Sequence, residues 1–173
     1  MDQLQAHRQW VQSAVVRYQR PLLRYAASLL GGYDRAADAV QETFCRLCGQ
    51  NQKDIDDHLA PWLFAVCRHY AIDAQRRSSR PESNPIDLRQ ARPASKPMTP
   101  AAADPLAEAE WRELEQRIAA ALMKLPARQR ELIELKYRGG LTYRQIAAIT
   151  GLTITNVGYL LHVAIDALRD GLF

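Results

Sequence analysis

The sequence predicts an all-α chain of two small helical domains joined by a flexible Pro-rich tether, and three observations carry that expectation. Apolar residues recur at helical spacing in an N-terminal and a C-terminal block. No segment alternates at the strand period for long enough to suggest a sheet. Six of the nine prolines fall between Pro81 and Pro105, in a stretch without sustained apolar periodicity. The expected units are residues 1–80, a tether over 81–105, and residues 106–173.

In the first block, Gly31-Gly32 followed by Asp34 reads as a helix stop and an N-cap. Val40, Phe44 and Leu47 then mark one amphipathic helix, and Leu63, Val66, Cys67, Tyr70 and Ala71 mark another, with Pro61 in its first turn. The block reads as a bundle of about four helices. Proline fixes φ and removes backbone donors, so no long helix is expected through the tether. Fully extended, its 25 residues span at most roughly 80–90 Å, enough to place the two blocks on sites two turns apart on one duplex.

The second block opens with Leu114, Ile118, Leu122 and Leu125, where Pro126 ends one helix and starts the next, carrying Leu132, Ile133 and Leu135. Gly139-Gly140 stops it. Thr142 and Gln145 have the spacing of a capping box for a short helix with Ile146, Ala147 and Ile149, closed by Gly151. After Thr153 comes a last helix whose stripe is Val157, Leu160, Leu161, Ala164, Ile165 and Leu168.

At 173 residues, 47% of them hydrophobic, the chain can bury real cores. Its net charge of +4 permits a polyanionic partner without demanding one. Residues 1–80 carry 11 basic and 8 acidic side chains, 81–110 carry 3 and 5, and 111–173 carry 9 and 6, so two basic blocks flank an acidic bridge. No apolar run is long enough to span a bilayer and the N-terminus lacks a secretory pattern, so a cytoplasmic protein without membrane insertion is expected. Three cysteines then argue for reduced thiols. Cys45, Cys48, Cys67 and His69 have superficially metal-like spacing, but Cys45 and Cys48 lie within a helix pattern and Cys67 on an apolar stripe, so small core residues account for them better than a zinc site. No P-loop, dinucleotide fingerprint, nucleophile elbow or HExxH is present, so neither an enzyme nor a cofactor is expected.

The run LTYRQIAAITGLTITNVGYLLHVAIDALR has the spacing of a helix-turn-helix, whose second helix enters the major groove. With its stripe buried, that helix exposes Thr155, Asn156, Tyr159 and His162 near its N-terminal half, where base edges would be reached. The plainer alternative is a helical hairpin with a solvated face. Between Arg144 and Arg169 there is no Lys or Arg, so phosphate anchoring falls to Arg138, Arg144, helix N-termini and the hydroxyls of Thr142, Thr153 and Thr155.

This C-terminal block resembles region 4 of bacterial sigma factors. Residues 36–47 (AADAVQETFCRL) resemble the region 2.2 motif, and residues 62–77 (WLFAVCRHYAIDAQRR) resemble regions 2.3 and 2.4. The pairing is similar to the extracytoplasmic-function (ECF) group, which keeps only domains 2 and 4. The resemblance implies that Asp38, Gln41 and Glu42 dock on the β′ clamp helices of core RNA polymerase, with the β flap as a further contact. It also implies that Trp62, Arg68, His69, Asp73, Arg76 and Arg77 capture the unwound minus 10 element, His69 standing where asparagine is usual. Cations for phosphates and planar groups for extruded bases suit that task. Asn51, Gln52 and Lys53, in the loop before this helix, would hold a flipped base, and the second helix of the helix-turn-helix would read the minus 35 element. Promoter DNA, duplex and melted, and an anti-sigma factor are the implied partners. The expected function is an alternative sigma factor that promotes promoter opening. The leading alternative is a helix-turn-helix regulator that binds duplex operator DNA without polymerase, and a third is a protein-binding adaptor.

Overall fold

The computed structural model describes residues 2–78 and 105–172, and among them every regular element is helical. Helix α1 runs Asp2–Leu30, α2 Tyr33–Cys48, and α3 is a single turn, Gln52–Ile55, leading through a 3-10 turn at Asp56–His58 into α4, Leu59–Ser78. In the second half α5 spans Pro105–Lys124 and α6 Ala127–Ile133, continuing as a π turn over Glu134–Arg138. Helices α7, Tyr143–Thr150, and α8, Ile154–Leu172, follow.

Helices α1, α2 and α4 pack on one another around Leu22, Tyr25, Leu30, Val40, Leu47, Leu63, Phe64 and Cys67, all buried. Each such large apolar side chain contributes about 1.5–3 kcal/mol when fully buried. The bundle therefore has three substantial helices and one short turn. Gly31 stops α1 in the left-handed region at φ 70°. The N-cap of α2 is Gly32, in extended backbone, and not Asp34. Asp34 lies instead in the first turn, where its charge complements the helix dipole.

Leu122, Leu132, Leu135, Leu141, Ile146, Val157 and Leu161 form the core of the second half. Pro126 caps α6, and the capping box at α7 is complete: Thr142 Oγ1 accepts from Gln145 N at 3.2 Å while Gln145 Oε1 accepts from Thr142 N at 2.9 Å. Gly151 ends α7 at φ 73°, and α8 leaves at 104° to it, within the range of a helix-turn-helix. The π turn departs from the sequence reading. Its Gly139 N–H bonds to Glu134 O, and Leu141 N–H bonds to Leu135 O, before Gly140 turns the chain at φ 65°.

The tether reading, residues 81–105, lies outside the described residues except for Pro105, which opens α5. The two halves nevertheless touch directly, α1 and α4 lying against α6, the π turn and α7. Among the described residues no single helix is long and apolar enough to cross a membrane.

Candidate nucleic-acid and polymerase interface

Helix α8 presents Thr155, Asn156, Tyr159 and His162 to solvent on one face, while Val157, Leu161 and Ala164 are buried on the other. Tyr159 is 65% exposed, and Ile154, an apolar residue absent from the sequence-derived set, is 52% exposed at the start of the helix. An apolar side chain at that end of the helix can contact a thymine methyl. Its signal in the sequence was only its position just ahead of the polar residues. His162 Nε2 is 3.3 Å from Asp166 Oδ2, and Arg169 is 3.4 Å from Asp166 Oδ1, so the C-terminal half of this face carries its own counter-charges.

Thr142 and Thr153 each accept a backbone N–H through the hydroxyl oxygen, Thr153 from Asn156 N at 3.2 Å. Each hydroxyl proton remains available to a phosphate oxygen. Arg144 is exposed in the first turn of α7. Arg138 is engaged: its Nε sits 2.7 Å from Glu134 Oε2, a close ion pair whose N–H is not aligned for a hydrogen bond. Burial pushes the Glu134 carboxyl above its ordinary range, with Arg138, Arg24 and Arg130 pulling the other way.

On α2, Asp38 and Gln41 are exposed, and Glu42, half-buried, accepts from Arg46 Nε at 2.9 Å. Cys45 shares this outer face, and Cys48 is exposed at the helix end. The reading of Cys45 and Cys48 as core residues is therefore corrected: the apolar stripe of α2 passes through Ala36, Val40, Thr43 and Leu47, leaving both thiols on the solvent side. Cys67 is buried, and desolvation pushes its thiol up to about 11.

Along α4, His69, Asp73, Arg76 and Arg77 are exposed at helical offsets that make one stripe, and Trp62 lies half-buried against the core at its upper end. The Arg77 guanidinium sits 5.9 Å from the Tyr70 ring centroid. Asn51 caps α3, its Oδ1 accepting from Lys53 N at 3.2 Å, and Lys53 is exposed next to it. The loop is tied to α1, since Trp10 Nε1 donates to Asp56 Oδ1 at 2.9 Å and His7 Nε2 bonds to the Cys48 carbonyl at 3.1 Å.

Arg68 stands apart from that stripe. Its Nε donates to Glu131 Oε1 of α6 at 2.7 Å, and the two side chains are only 15% and 6% exposed. Tyr25 OH donates to the same oxygen at 3.2 Å, and Arg128 lies 3.7 Å from the other. Burial first, then the Glu131 charge, holds the Tyr25 hydroxyl well above the usual phenol range. The family resemblance placed Arg68 with the DNA-facing residues, and sequence patterning passed over Glu131 and Tyr25, because a contact across 63 and 106 residues leaves no periodic trace. Separately, Ile118, Leu122, Ile133, Tyr137, Ile165 and Leu168 line an apolar groove between α5, α6 and α8.

The family model described as Sigma-70 region 2 matches residues 14–81, and that described as Sigma-70, region 4 matches residues 115–168. The chain is 37% identical over 151 residues to the ECF RNA polymerase sigma factor SigL of Mycobacterium tuberculosis (strain H37Rv), covering 86% of this chain and 80% of that protein. It is 35% identical over 112 residues to the ECF RNA polymerase sigma factor RpoE of Cereibacter sphaeroides, covering 65% of this chain and 57% of the relative. Among solved structures, the sigma factor RpoE of Bartonella quintana, in complex with the anti-sigma factor NepR, superposes with a TM-score of 0.67 at 24% identity, over 93% of this chain and 95% of that one. CnrH in complex with the cytosolic domain of CnrY gives 0.58 at 22% identity, over 94% and 87%. At these identities the two structures speak for the shared fold.

Proposed function

This chain belongs to the sigma-70 family, in its extracytoplasmic-function group, and on that premise we propose that it binds core RNA polymerase, recognises the minus 35 and minus 10 promoter elements and promotes promoter opening. It acts as an alternative sigma factor. The single observation that carries the reading is the occurrence, in the order of the family, of a region 2 bundle with an outward polar face on α2 and a region 4 helix-turn-helix bent at 104°.

Residue roles follow from exposure and chemistry. Asp38, Gln41 and Glu42 offer α2 to the clamp helices, and the apolar groove beside Tyr137 offers a seat to the polymerase flap. His69, Asp73, Arg76, Arg77 and the Asn51–Lys53 turn face the melted strand, with Trp62 supporting them. Thr155, Asn156, Tyr159 and His162 read base edges, while Arg144, Thr142 and Thr153 hold phosphates. NepR and CnrY accompany the two structural neighbours, which supports an anti-sigma partner for this chain as well.

Co-elution with purified core polymerase tests the reading. The wild-type chain is expected to co-elute and the triple variant D38A/Q41A/E42A to do so at least tenfold more weakly. A chain that does not bind polymerase, yet footprints a two-fold duplex site by itself, would overturn the reading in favour of the operator-binding regulator.

A further inference from the structure

Two rings near the start of α1 reach the segment between α2 and α4. His7 and Trp10 stand three residues apart on one face of the helix, their ring centroids separated by 5.5 Å. His7 Nε2 lies 3.1 Å from the carbonyl of Cys48, the last residue of α2. A carbonyl only accepts, so the imidazole donates, at a helix end where intrahelical donors run out. Trp10 packs against the bundle core, and its Nε1 donates to Asp56 Oδ1 at 2.9 Å, where α3 passes into the 3-10 turn. Between these two fastenings the turn is knitted internally: Asn51 Oδ1 accepts from Lys53 N, Asn51 O accepts from Asp54 N at 3.0 Å, and Ile55 is buried. The region 2 match begins at residue 14, so neither ring falls within it.

We propose that His7 and Trp10 are positioning residues, which fix the Asn51–Lys53 turn in the shape that receives an extruded base of the minus 10 element and so set how sharply that base is chosen. The α3 helix is a single turn, and a single turn does not hold itself in water, because closing it costs more backbone freedom than its few hydrogen bonds return. Its order must come from what it is tied to. Ile55 anchors it to the core, and the two rings fasten its ends, at Cys48 before it and Asp56 after it. Discrimination between bases depends on the direction of donors and acceptors, and hydrogen bonds weaken steeply as they bend. A turn free to rock would still touch a base but would distinguish bases poorly. Both fastenings lie at the surface, so removing either donor leaves the core intact. The base-selecting role rests on the sigma-factor reading; the fastening of the turn to α1 does not.

The test reads base preference by sequencing transcripts made by purified core polymerase and the full chain from promoter fragments randomised across the minus 10 region. Asn51→Ala locates the position that the turn reads, as the one whose preference collapses. Trp10→Phe keeps a ring but loses the donor, and is expected to flatten preference at that position about fivefold while the neighbouring positions stay as in wild type. His7→Phe should act in the same direction. Asp56→Ala should reproduce Trp10→Phe, whereas Asp56→Asn, whose amide oxygen still accepts, should keep the wild-type profile. Amide hydrogen exchange at Lys53 and Asp54 in the free chain, read alongside, should speed up in Trp10→Phe. Preference that is unchanged in Trp10→Phe, or lowered equally at every position, would overturn the positioning role. So would an Asn51→Ala profile like that of wild type, or the same loss in Asp56→Asn as in Asp56→Ala. If wild type yields no protein-dependent transcripts, the sigma-factor reading fails and the base-selecting role falls with it; exchange still decides the fastening, which an unchanged rate in Trp10→Phe would overturn.

Discussion

Arg68 Nε and Glu131 Oε1 lie 2.7 Å apart across 63 residues of sequence, joining a helix that faces melted DNA in the proposed function to the domain that reads duplex. The same interface constrains residues around it, and several outcomes can be measured.

Gly139 is the sharpest steric test. A Cβ there would stand 2.6 Å from the Leu135 carbonyl and 3.2 Å from Phe64, and the backbone carbonyl cannot yield cheaply. Gly139→Ala is expected to cost about 1–3 kcal/mol in urea unfolding. Gly32→Ala, with open space around the added carbon, should cost much less.

Thr142 separates stability from DNA contact. Its oxygen caps α7, so Thr142→Ala should lose about 1 kcal/mol of stability. Thr142→Asp retains a capping oxygen but places a negative charge where a phosphate is expected. It should keep its thermal stability and lose minus 35 binding in the holoenzyme. Equal losses in both properties would contradict a phosphate role.

Thiol chemistry should divide the cysteines two to one. Cys45 and Cys48 are exposed, while the buried Cys67 thiol is pushed up to about 11 and holds almost no thiolate at neutral pH. Two equivalents of Ellman's reagent should react rapidly with the native chain and the third only on unfolding. Rapid reaction of all three would contradict the burial of Cys67 against α2.

Glu134 predicts a pH dependence whose sign can be worked out. Its folded pKa lies above the ordinary 4.5 because burial penalises the carboxylate. Between 4.5 and the higher folded value the native state holds more protons than the unfolded chain, so this group's contribution to stability falls as pH rises through that window. Glu134→Gln removes the titration. Its stability relative to wild type should therefore improve as pH rises from 4.5, measured by urea midpoints. A relative stability that worsens with pH would show that the Arg138 pair dominates instead.

Local signals made much of this architecture legible. The Thr142–Gln145 capping box, the Gly151 stop and the buried stripe through Val157, Leu161 and Ala164 are set by near neighbours, and each was readable from spacing. What sequence spacing did not yield depends on distant partners. Cys45 and Cys48 belong to a helix whose apolar stripe lies elsewhere, and only packing decides which side of α2 faces water. Glu131 and Glu134 interrupt a run of buried apolar residues, and a carboxylate in such a run gives no hint that Arg68, Tyr25 and Arg138 await it. Ile154 was passed over because exposure of an apolar residue is a tertiary fact.

Run-off transcription tests the central claim most directly: purified core polymerase on a library of promoter fragments, with and without this protein, with start sites mapped by sequencing. Protein-dependent starts should appear downstream of two motifs at a fixed spacing, and should weaken with Asn156→Ala at the upstream motif and with Arg76→Ala at the downstream one. If core polymerase gives the same starts with and without the chain, the sigma-factor account is contradicted.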